Sequence, residues 1–286
     1  MDNFYDLVAR RASCRSFLPD PVPEDVLRRI LTAGCQSPNG GGFQTYSILC
    51  ITDPEKKKAL SRLCRNQSFI AKAPVELIFC IDFHRMEQVL RIEPAPFGKT
   101  ADFKEFWMGL IDCAVCAQTV VLAAEAEGLA SCYNGNILNK LDQAAALLDL
   151  PDGVCPAIML TVGYPKVRRK QPPRYPLDMI VHRENYREYP DGEVYQAYRK
   201  QNQYRKWRAT DRNLAALAAA ARESGGEELE QRVKEDVRRR GGLGPYQFWF
   251  GVYYTEDENF MDFRGYARYF REHGFSWLPD CEEETL

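Results

Sequence analysis

Three short apolar runs have the length and the β-branched or aromatic content of buried strands. They lie at residues 46–51, 75–81 and 157–162, and we expect both faces of their sheet to be covered. Helical periodicity fills the intervals between them. The predicted helices are residues 24–35, 54–64, 103–127 and 137–148. The pattern predicts an α/β (α+β) fold, a three-layer sandwich of a central mixed or antiparallel sheet flanked by helices.

The pattern changes after residue 165. Prolines alternate with basic residues over 165–176, and residues 191–239 are strongly charged with helical character, which we interpret as an arm without a core of its own. An aromatic, strand-prone segment follows at 241–259, and a last helix at 260–273 ends at Gly274. We therefore divide the chain into a core at 1–190 and a charged, helical and aromatic extension at 191–286. The extension is expected to pack on the core or on a partner subunit.

Composition limits the possible partners. The 38 basic and 40 acidic residues give a net charge of −2, which favours a small-molecule ligand over nucleic acid or an anionic membrane. The N-terminal residues do not have the pattern of a secretory signal, so a cytoplasmic protein is expected. The apolar stretch at 108–130 contains several polar residues, among them Asp112 and Glu125, and is predicted to be a buried helix and not a membrane span.

The usual catalytic and metal-binding motifs do not occur in the sequence. Cys113 and Cys116 have the spacing of a redox or zinc pair, but no second pair follows and the chain has only three histidines. We expect no metal site and reduced cysteines. Because acid–base groups are so few, a cofactor is expected to carry the chemistry, and we assign no catalytic proton donor.

Four polar segments are candidates for binding such a cofactor. The first, residues 10–17, crowds three arginines and several hydroxyls at the end of the first helix, which suits an anion. The second, residues 37–44, has three consecutive glycines that allow close backbone approach. Amides at 66–69 offer donors and acceptors to a ring edge, and the turn at 128–137 offers backbone N–H groups. Taken singly, these segments are equally consistent with solvated helix ends and flexible turns.

The order of these motifs resembles the FMN-dependent nitroreductase family. The resemblance rests on Arg-Arg-x-Ser-x-Arg-x-Phe at 10–17, the Gly-rich loop before the first strand, Gly-Leu-x-x-x-Tyr-x-Gly at 128–135 and Gly-Tyr-Pro at 163–165. Segments 66–68, 79–85 and 173–186 are similar to the oxygen-insensitive NADPH nitroreductase and flavin reductase branch. The resemblance covers about residues 2–204.

The resemblance implies a homodimer with two FMN sites at its interface. Arg11 and Ser13 would bind FMN with Arg11 nearer the phosphate, and Arg15 would lie nearer the N1/O2 edge, where a cation stabilises the reduced ring. Gln67 would address the N3/O4 edge, and Arg174 would be a second phosphate ligand. The remaining implied ligands are Tyr133, Asn134 and Gly135 near the ring face, and Asn39, Gly40 and Gly41 from the second subunit.

The implied reaction transfers hydride from NADPH or NADH through FMN to nitroaromatics, quinones or free flavin. A basic stretch suits the 2′-phosphate of NADPH, although a solvated helix is the simpler interpretation. It comprises Arg199, Lys200, Arg205, Lys206, Arg208 and Arg212.

Three departures from the branch motif concern phosphate binding and the loop. Ala12 and Pro172 stand where donors are usual, and a Gly-rich loop replaces a serine-rich one, so Lys166, Arg168, Arg169 or Lys170 would have to substitute as donors. Two alternatives stay open: a flavin-binding sensor or carrier without turnover, and a specialised flavin enzyme such as a dehalogenase.

Overall fold

The computed structural model describes residues 3–95, 103–205, 207–255 and 261–275. The chain forms two compact units. The first contains Met1–Gln171 and Met261–Leu286, and the second is Pro172–Phe260.

The first unit is built on a four-stranded antiparallel sheet. Its strands are β1 (Tyr46–Ile51), β2 (Val75–Asp82), β3 (Ala130–Asn134) and β4 (Val154–Gly163), in the spatial order β1-β2-β4-β3. Tyr46 pairs with Ile81, Val75 with Val162, and Ala130 with Gly163. The sheet is therefore antiparallel throughout, which resolves the choice between mixed and antiparallel.

Helices cover both faces of this sheet. The helices of the first unit are α1 (Phe4–Arg10), α2 (Glu24–Cys35), α3 (Pro54–Leu63), α4 (Ser68–Lys72), α5 (His84–Leu90), α6 (Phe103–Ala126), α7 (Leu141–Leu147) and α11 (Phe263–Glu272). Alternate residues of β2 face opposite layers: Leu77 and Phe79 pack with α2, α6 and α11, whereas Ile78 and Cys80 pack with α3, α4 and α7. The predicted three-layer sandwich is confirmed.

Local chemistry accounts for several helix ends. Asp53 precedes α3, accepts the Lys56 N–H at 2.7 Å, and is followed by Pro54 at the first helical position. Asp262 accepts the Gly265 N–H at 2.7 Å at the start of α11. The expected last helix is therefore present, although residues 256–260, where it was predicted to begin, lie outside the described residues.

The long helix α6 is apolar and long enough to cross a membrane by length and composition alone. In the fold it is the central helix on one face of the sheet, where it buries Val120, Val121 and Ala124. It also buries the acidic residues Asp112 and Glu125, each of which is hydrogen-bonded within the first unit. These features are typical of a core helix.

The second unit is mostly helical, with α8 (Asp191–Gln201), α9 (Asp211–Arg240) and α10 (Pro245–Phe248). A π-helix at Trp249–Tyr253 continues α10, so the prediction of a strand in the aromatic segment is wrong. Phe248 and Val252 pack beside α9, where Leu217 and Val237 belong to a small buried cluster. This helical packing is the physical reason for the difference. It also corrects our expectation of an arm without a core.

The observed division of the chain differs from the one drawn at residue 190. The boundary falls between Gln171 and Pro172, and the C-terminal segment belongs to the first unit. Tyr269, Phe270 and Phe275 are buried in its core. A large aromatic surface on an amphipathic helix drives this return.

Candidate functional site

The arginine-rich segment after α1 runs along the free edge of β3. The backbone N–H of Cys14 donates to the Ser131 carbonyl at 2.9 Å, and Phe17 forms an isolated bridge with Pro165 beyond β4. These backbone bonds fix residues 11–17 beside the end of the sheet. Cys14 is buried, whereas Ser13 and Arg15 on either side of it are exposed.

The guanidinium groups of Arg11 and Arg15 both lie near Cys132 of β3, and neither has an acidic partner among the described residues. Among the described residues neither forms a hydrogen bond or an ion pair through its side chain, and Arg15 only faces the ring of Phe69, with 6.0 Å from Cζ to the ring centroid. Burial raises the pKa of the Cys132 thiol, and the positive charges of Arg15 and Arg11 partly oppose this. Both cations therefore act on the same residue of β3.

The end of β3 supplies the next group of candidate residues. Tyr133 is 40% exposed, and its hydroxyl donates to Gln118 Oε1 at 3.3 Å. Burial raises the pKa of Tyr133 to about 12, and the charge of Arg11 opposes that shift. Asn134 is buried, with its Oδ1 accepting the Asn136 N–H at 2.9 Å, and a Cβ built on Gly135 meets no atom within 4 Å. The backbone at Gly135 therefore borders open space.

Gln67 stands at the start of α4, the helix that carries Phe69. Its Nε2 donates to the Cys64 carbonyl at 3.0 Å, while its Oε1 has no hydrogen bond within the described part of the chain. Arg65 and Asn66 before it both have positive φ angles, 61° and 55°, which is uncommon for residues other than glycine. This turn presents an amide oxygen on the same α4 segment that Arg15 faces.

The glycine loop is held by its own chain. The Gly40 N–H donates to Asp112 Oδ1 at 2.9 Å, and Asn39 Oδ1 accepts the Gln44 N–H at 3.0 Å. Gly41 and Gly42 have φ angles of 60° and 75°, a conformation that favours glycine. The loop is thus a fixed structure on α6, and its expected contact with FMN of a second subunit stays a prediction.

The phosphate ligand proposed in the basic segment belongs to the second unit. Arg174 is exposed and makes no side-chain hydrogen bond or ion pair among the described residues. One of its suggested substitutes is already occupied: Arg168 binds the buried carboxylate of Glu125 at 2.6 Å and the Gly128 carbonyl at 2.9 Å. Arg168 is therefore a structural residue in the first unit, which corrects its assignment as a spare donor.

The second unit contains a cavity of about 790 Å³ with no acidic side chain in its wall. Arg199 and Arg205 line it, together with the aromatic rings of Tyr198 and Trp207. Neither guanidinium group has a hydrogen bond or an ion pair in the described parts of the chain. Arg208 and Arg212 do not line the cavity, and Lys206 lies outside the described residues.

Sequence reasoning missed several residues around the first-unit site. β3 itself was interpreted as a turn, so Cys132 had no assigned place. The pairing of Arg168 with Glu125, and two hydrogen bonds from Gln171 to the carbonyls of Val8 and Arg11, join segments that are distant in sequence. A single sequence carries no signal for such long-range polar pairs.

Comparisons with known proteins identify the family of the chain. The sequence model of the Nitroreductase family matches residues 8–164. The chain is 32% identical to a protein named FMN reductase (NADPH) from Bacillus subtilis, over 65% of this chain and 75% of the relative. It is 31% identical to the NADPH-flavin oxidoreductase of Vibrio harveyi, over 66% and 76%.

Solved structures show the same fold. A putative oxidoreductase from Bacteroides fragilis has a TM-score of 0.75 at 27% identity and covers 94% of this chain and 99% of its own. The NADPH:FMN oxidoreductase of Vibrio harveyi, solved with NAD⁺, has a TM-score of 0.66 at 29% identity, with coverages of 71% and 86%. From the sequence match and the shared fold we conclude that the chain belongs to the nitroreductase family.

Proposed function

We propose that this protein is an FMN-dependent oxidoreductase that uses NADPH or NADH to reduce a small organic acceptor. The observation that carries the proposal is the pair of guanidinium groups, Arg11 and Arg15, that share the β3 edge without any acidic partner in the described residues. A cation left without a counter-charge is a ready site for an anion. Relatives named for FMN and NADPH support FMN as that anion.

The residues at this edge fit FMN chemically. Arginine binds phosphate and an electron-rich ring edge, the exposed Ser13 hydroxyl offers a further hydrogen bond, and the free Oε1 of Gln67 accepts from a ring N–H. Arg11, Ser13, Arg15, Gln67 and the 133–135 turn would hold the group. Bound FMN would supply the two-electron chemistry that links NAD(P)H to a nitroaromatic, quinone or free flavin acceptor.

The contribution of the protein is orientation and charge. The positive charges of Arg11 and Arg15 favour a ligand that gains negative charge on reduction, because they need no rearrangement to meet it. None of the three histidines is assigned as a proton donor: His84 is bonded to the Asp152 carbonyl, His182 to the Arg187 N–H, and the His273 ring packs on Tyr269 at 4.3 Å between centroids. We therefore assign no catalytic acid or base.

We further propose that the cavity of the second unit holds the 2′-phosphate of NADPH. Arg199 and Arg205 supply cations that have no acidic partner in the described chain, and Trp207 supplies an aromatic surface. The Arg199→Ala/Arg205→Ala variant is expected to raise the KM for NADPH at least tenfold and to leave the KM for NADH within twofold. The matched control is Arg208→Ala, which lies outside the cavity wall; equal effects on both nicotinamides would contradict the assignment.

A homodimer is proposed from the exposed surface of the first unit. Trp107 and Ile111 on α6 are 55% and 42% exposed, and Phe43 of the glycine loop is 64% exposed. Gly40 of that loop lies against Met108 of α6, and exposed apolar side chains on both the loop and the helix suit contact with a second copy. Trp107→Glu is expected to yield monomers in analytical ultracentrifugation and to reduce FMN retention. We also propose a cytoplasmic location.

Spectroscopy of the purified protein tests the central function. We expect a flavin absorption spectrum that bleaches without oxygen on addition of NADPH and returns on addition of a quinone or nitroaromatic. A flavin spectrum that is inert to both nicotinamides would support the sensor or carrier instead. Turnover that releases halide from a halogenated aromatic would support the dehalogenase alternative.

A further inference from the structure

A single glutamine side chain caps the C-terminal end of α1. The last carbonyls of a helix have no partner within it, and in this seven-residue helix the Arg11 N–H already closes on the Leu7 carbonyl. Gln171 Nε2 donates to the carbonyl of Val8 at 2.8 Å and to that of Arg11 at 2.5 Å. An amide nitrogen carries two hydrogens, so both bonds form together.

The segment that carries Gln171 is itself anchored. Three residues earlier, the Arg168 guanidinium binds the fully buried Glu125 carboxylate at 2.6 Å and donates to the carbonyls of Gly128 and Leu129 at 2.9 and 3.1 Å. These contacts tie residues 168–171 to the end of α6 and the start of β3. Gln171 therefore donates to the α1 carbonyls from a segment that the Arg168 contacts hold in place.

The consequence concerns Arg11. Its N–H is held by Leu7 and its carbonyl by Gln171, while its guanidinium has no partner in the described chain. α1 is too short to be stable alone and buries only Leu7. We infer that Gln171 is a positioning residue that fixes the backbone of Arg11 and thereby aims its guanidinium at an anionic ligand. This inference rests on the proposed function, in which that ligand is FMN.

A double-mutant cycle tests whether Gln171 acts through Arg11. The equilibrium dissociation constant of FMN is measured by fluorescence titration of the apoprotein for the wild type, Gln171→Ala, Arg11→Ala and the double variant. We expect Gln171→Ala to weaken binding about tenfold, as two hydrogen bonds suggest. The double variant should bind within twofold of Arg11→Ala. Multiplied losses would show independent action and overturn the inference.

A matched control separates positioning from general destabilisation. Gln231 lies exposed on α9 and makes no side-chain hydrogen bond among the described residues, so Gln231→Ala should bind FMN like the wild type. The thermal midpoint of each apoprotein is recorded in parallel. If the FMN affinities of all variants simply follow their midpoints, Gln171 has only a structural role and the inference is wrong.

The pH dependence of Gln171→Glu gives a second readout. The introduced carboxylate faces two carbonyl oxygens and has no hydrogen to donate at pH 8. The FMN affinity of the Gln171→Glu variant should therefore fall below that of Gln171→Ala. Protonation restores a donor. The ratio of the FMN affinity of Gln171→Glu to that of Gln171→Ala should therefore rise from below one at pH 8 to above one as pH falls toward 5. A pH-independent ratio would overturn the inference. A wild type that binds no FMN would defeat the proposed function as well, a pattern distinct from additive losses.

Discussion

Two arginine-rich regions of this chain look alike in sequence and differ in how their charges are met. Along α9, Asp236 binds Arg239 at 2.5 Å and Arg240 at 2.6 Å, and Glu230 pairs with Arg222 across the bend at Gly225 and Gly226. At the β3 edge, Arg11 and Arg15 meet no carboxylate in the described chain. Clustered arginines therefore indicate an anion site only when the fold leaves them without acidic partners.

The largest expected effect is the loss of FMN binding when the unmatched cations are removed. Charge-assisted hydrogen bonds contribute about 1.5–3 kcal/mol each, so Arg11→Ala and Arg15→Ala should each weaken FMN binding about ten- to a hundredfold, and the double variant more. Fluorescence titration of the apoproteins measures this. Arg222→Ala on α9 is the control and should leave the affinity unchanged; an equal loss there would remove the contrast between the regions.

The second effect concerns a cation that is already paired. Arg168→Ala leaves the buried carboxylate of Glu125 without its charge partner. We expect the free energy of unfolding to fall by about 2–3 kcal/mol, because an uncompensated buried charge is costly. Chemical denaturation measures the free energy of unfolding. Arg168→Ala/Glu125→Gln should recover part of the loss; a double variant no more stable than Arg168→Ala would contradict the charge argument.

The buried acid Glu76 is the converse case, a carboxyl group with too few partners. Thr161 Oγ1 donates to its Oε2 at 2.8 Å, its Oε1 has no hydrogen bond among the described residues, and burial raises its pKa well above the usual range. Above the unfolded pKa of about 4.5, the folded state therefore keeps a proton on Glu76 that the unfolded state loses. The contribution of Glu76 to stability is complete below that pKa and declines as pH rises.

Replacing that carboxyl group should flatten the pH profile of stability. We expect Glu76→Gln to be more stable than the wild type by about 1 kcal/mol at pH 8 and to lose this advantage near pH 4. Thermal melts across that range measure the difference. An advantage that grows on acidification would reverse the assigned sign.

The smallest effect belongs to the matched charges of α9. The Arg222 side chain is 61% exposed, and Lys234 also contacts Glu230, so Arg222→Ala should lower the thermal midpoint less than Arg168→Ala does. Added salt should reduce the difference in thermal midpoint between Arg222→Ala and the wild type, because exposed ion pairs are screened. A loss as large as that of Arg168→Ala would show that exposure is a poor guide here.

Much of the fold could be predicted because its signal is local. The strands at β1, β2 and β4 are continuous apolar runs, and α2 was predicted with its observed bounds. β3 was missed because Ala-Ser-Cys-Tyr-Asn lacks the usual β-branched residues, and pairing with β4 makes it a strand. The aromatic segment was wrongly predicted to be a strand, since packing beside α9 overrides its strand propensity.

The residue types of the candidate site could be predicted from the sequence, but the long-range contacts around them could not. Arg11, Arg15 and Gln67 stand in short motifs that suggest ligand binding. Whether an arginine has an acidic partner depends on residues far along the chain, as with Arg168 and Glu125. Only the folded structure separates the arginine that supports the fold from those left available to a ligand.

A crystal structure of the protein grown with FMN tests the central claim most directly. The account predicts flavin density at the β3 edge, with the guanidinium groups of Arg11 and Arg15 within hydrogen-bonding distance of the FMN. Flavin bound elsewhere, with both arginines directed into solvent, would contradict it.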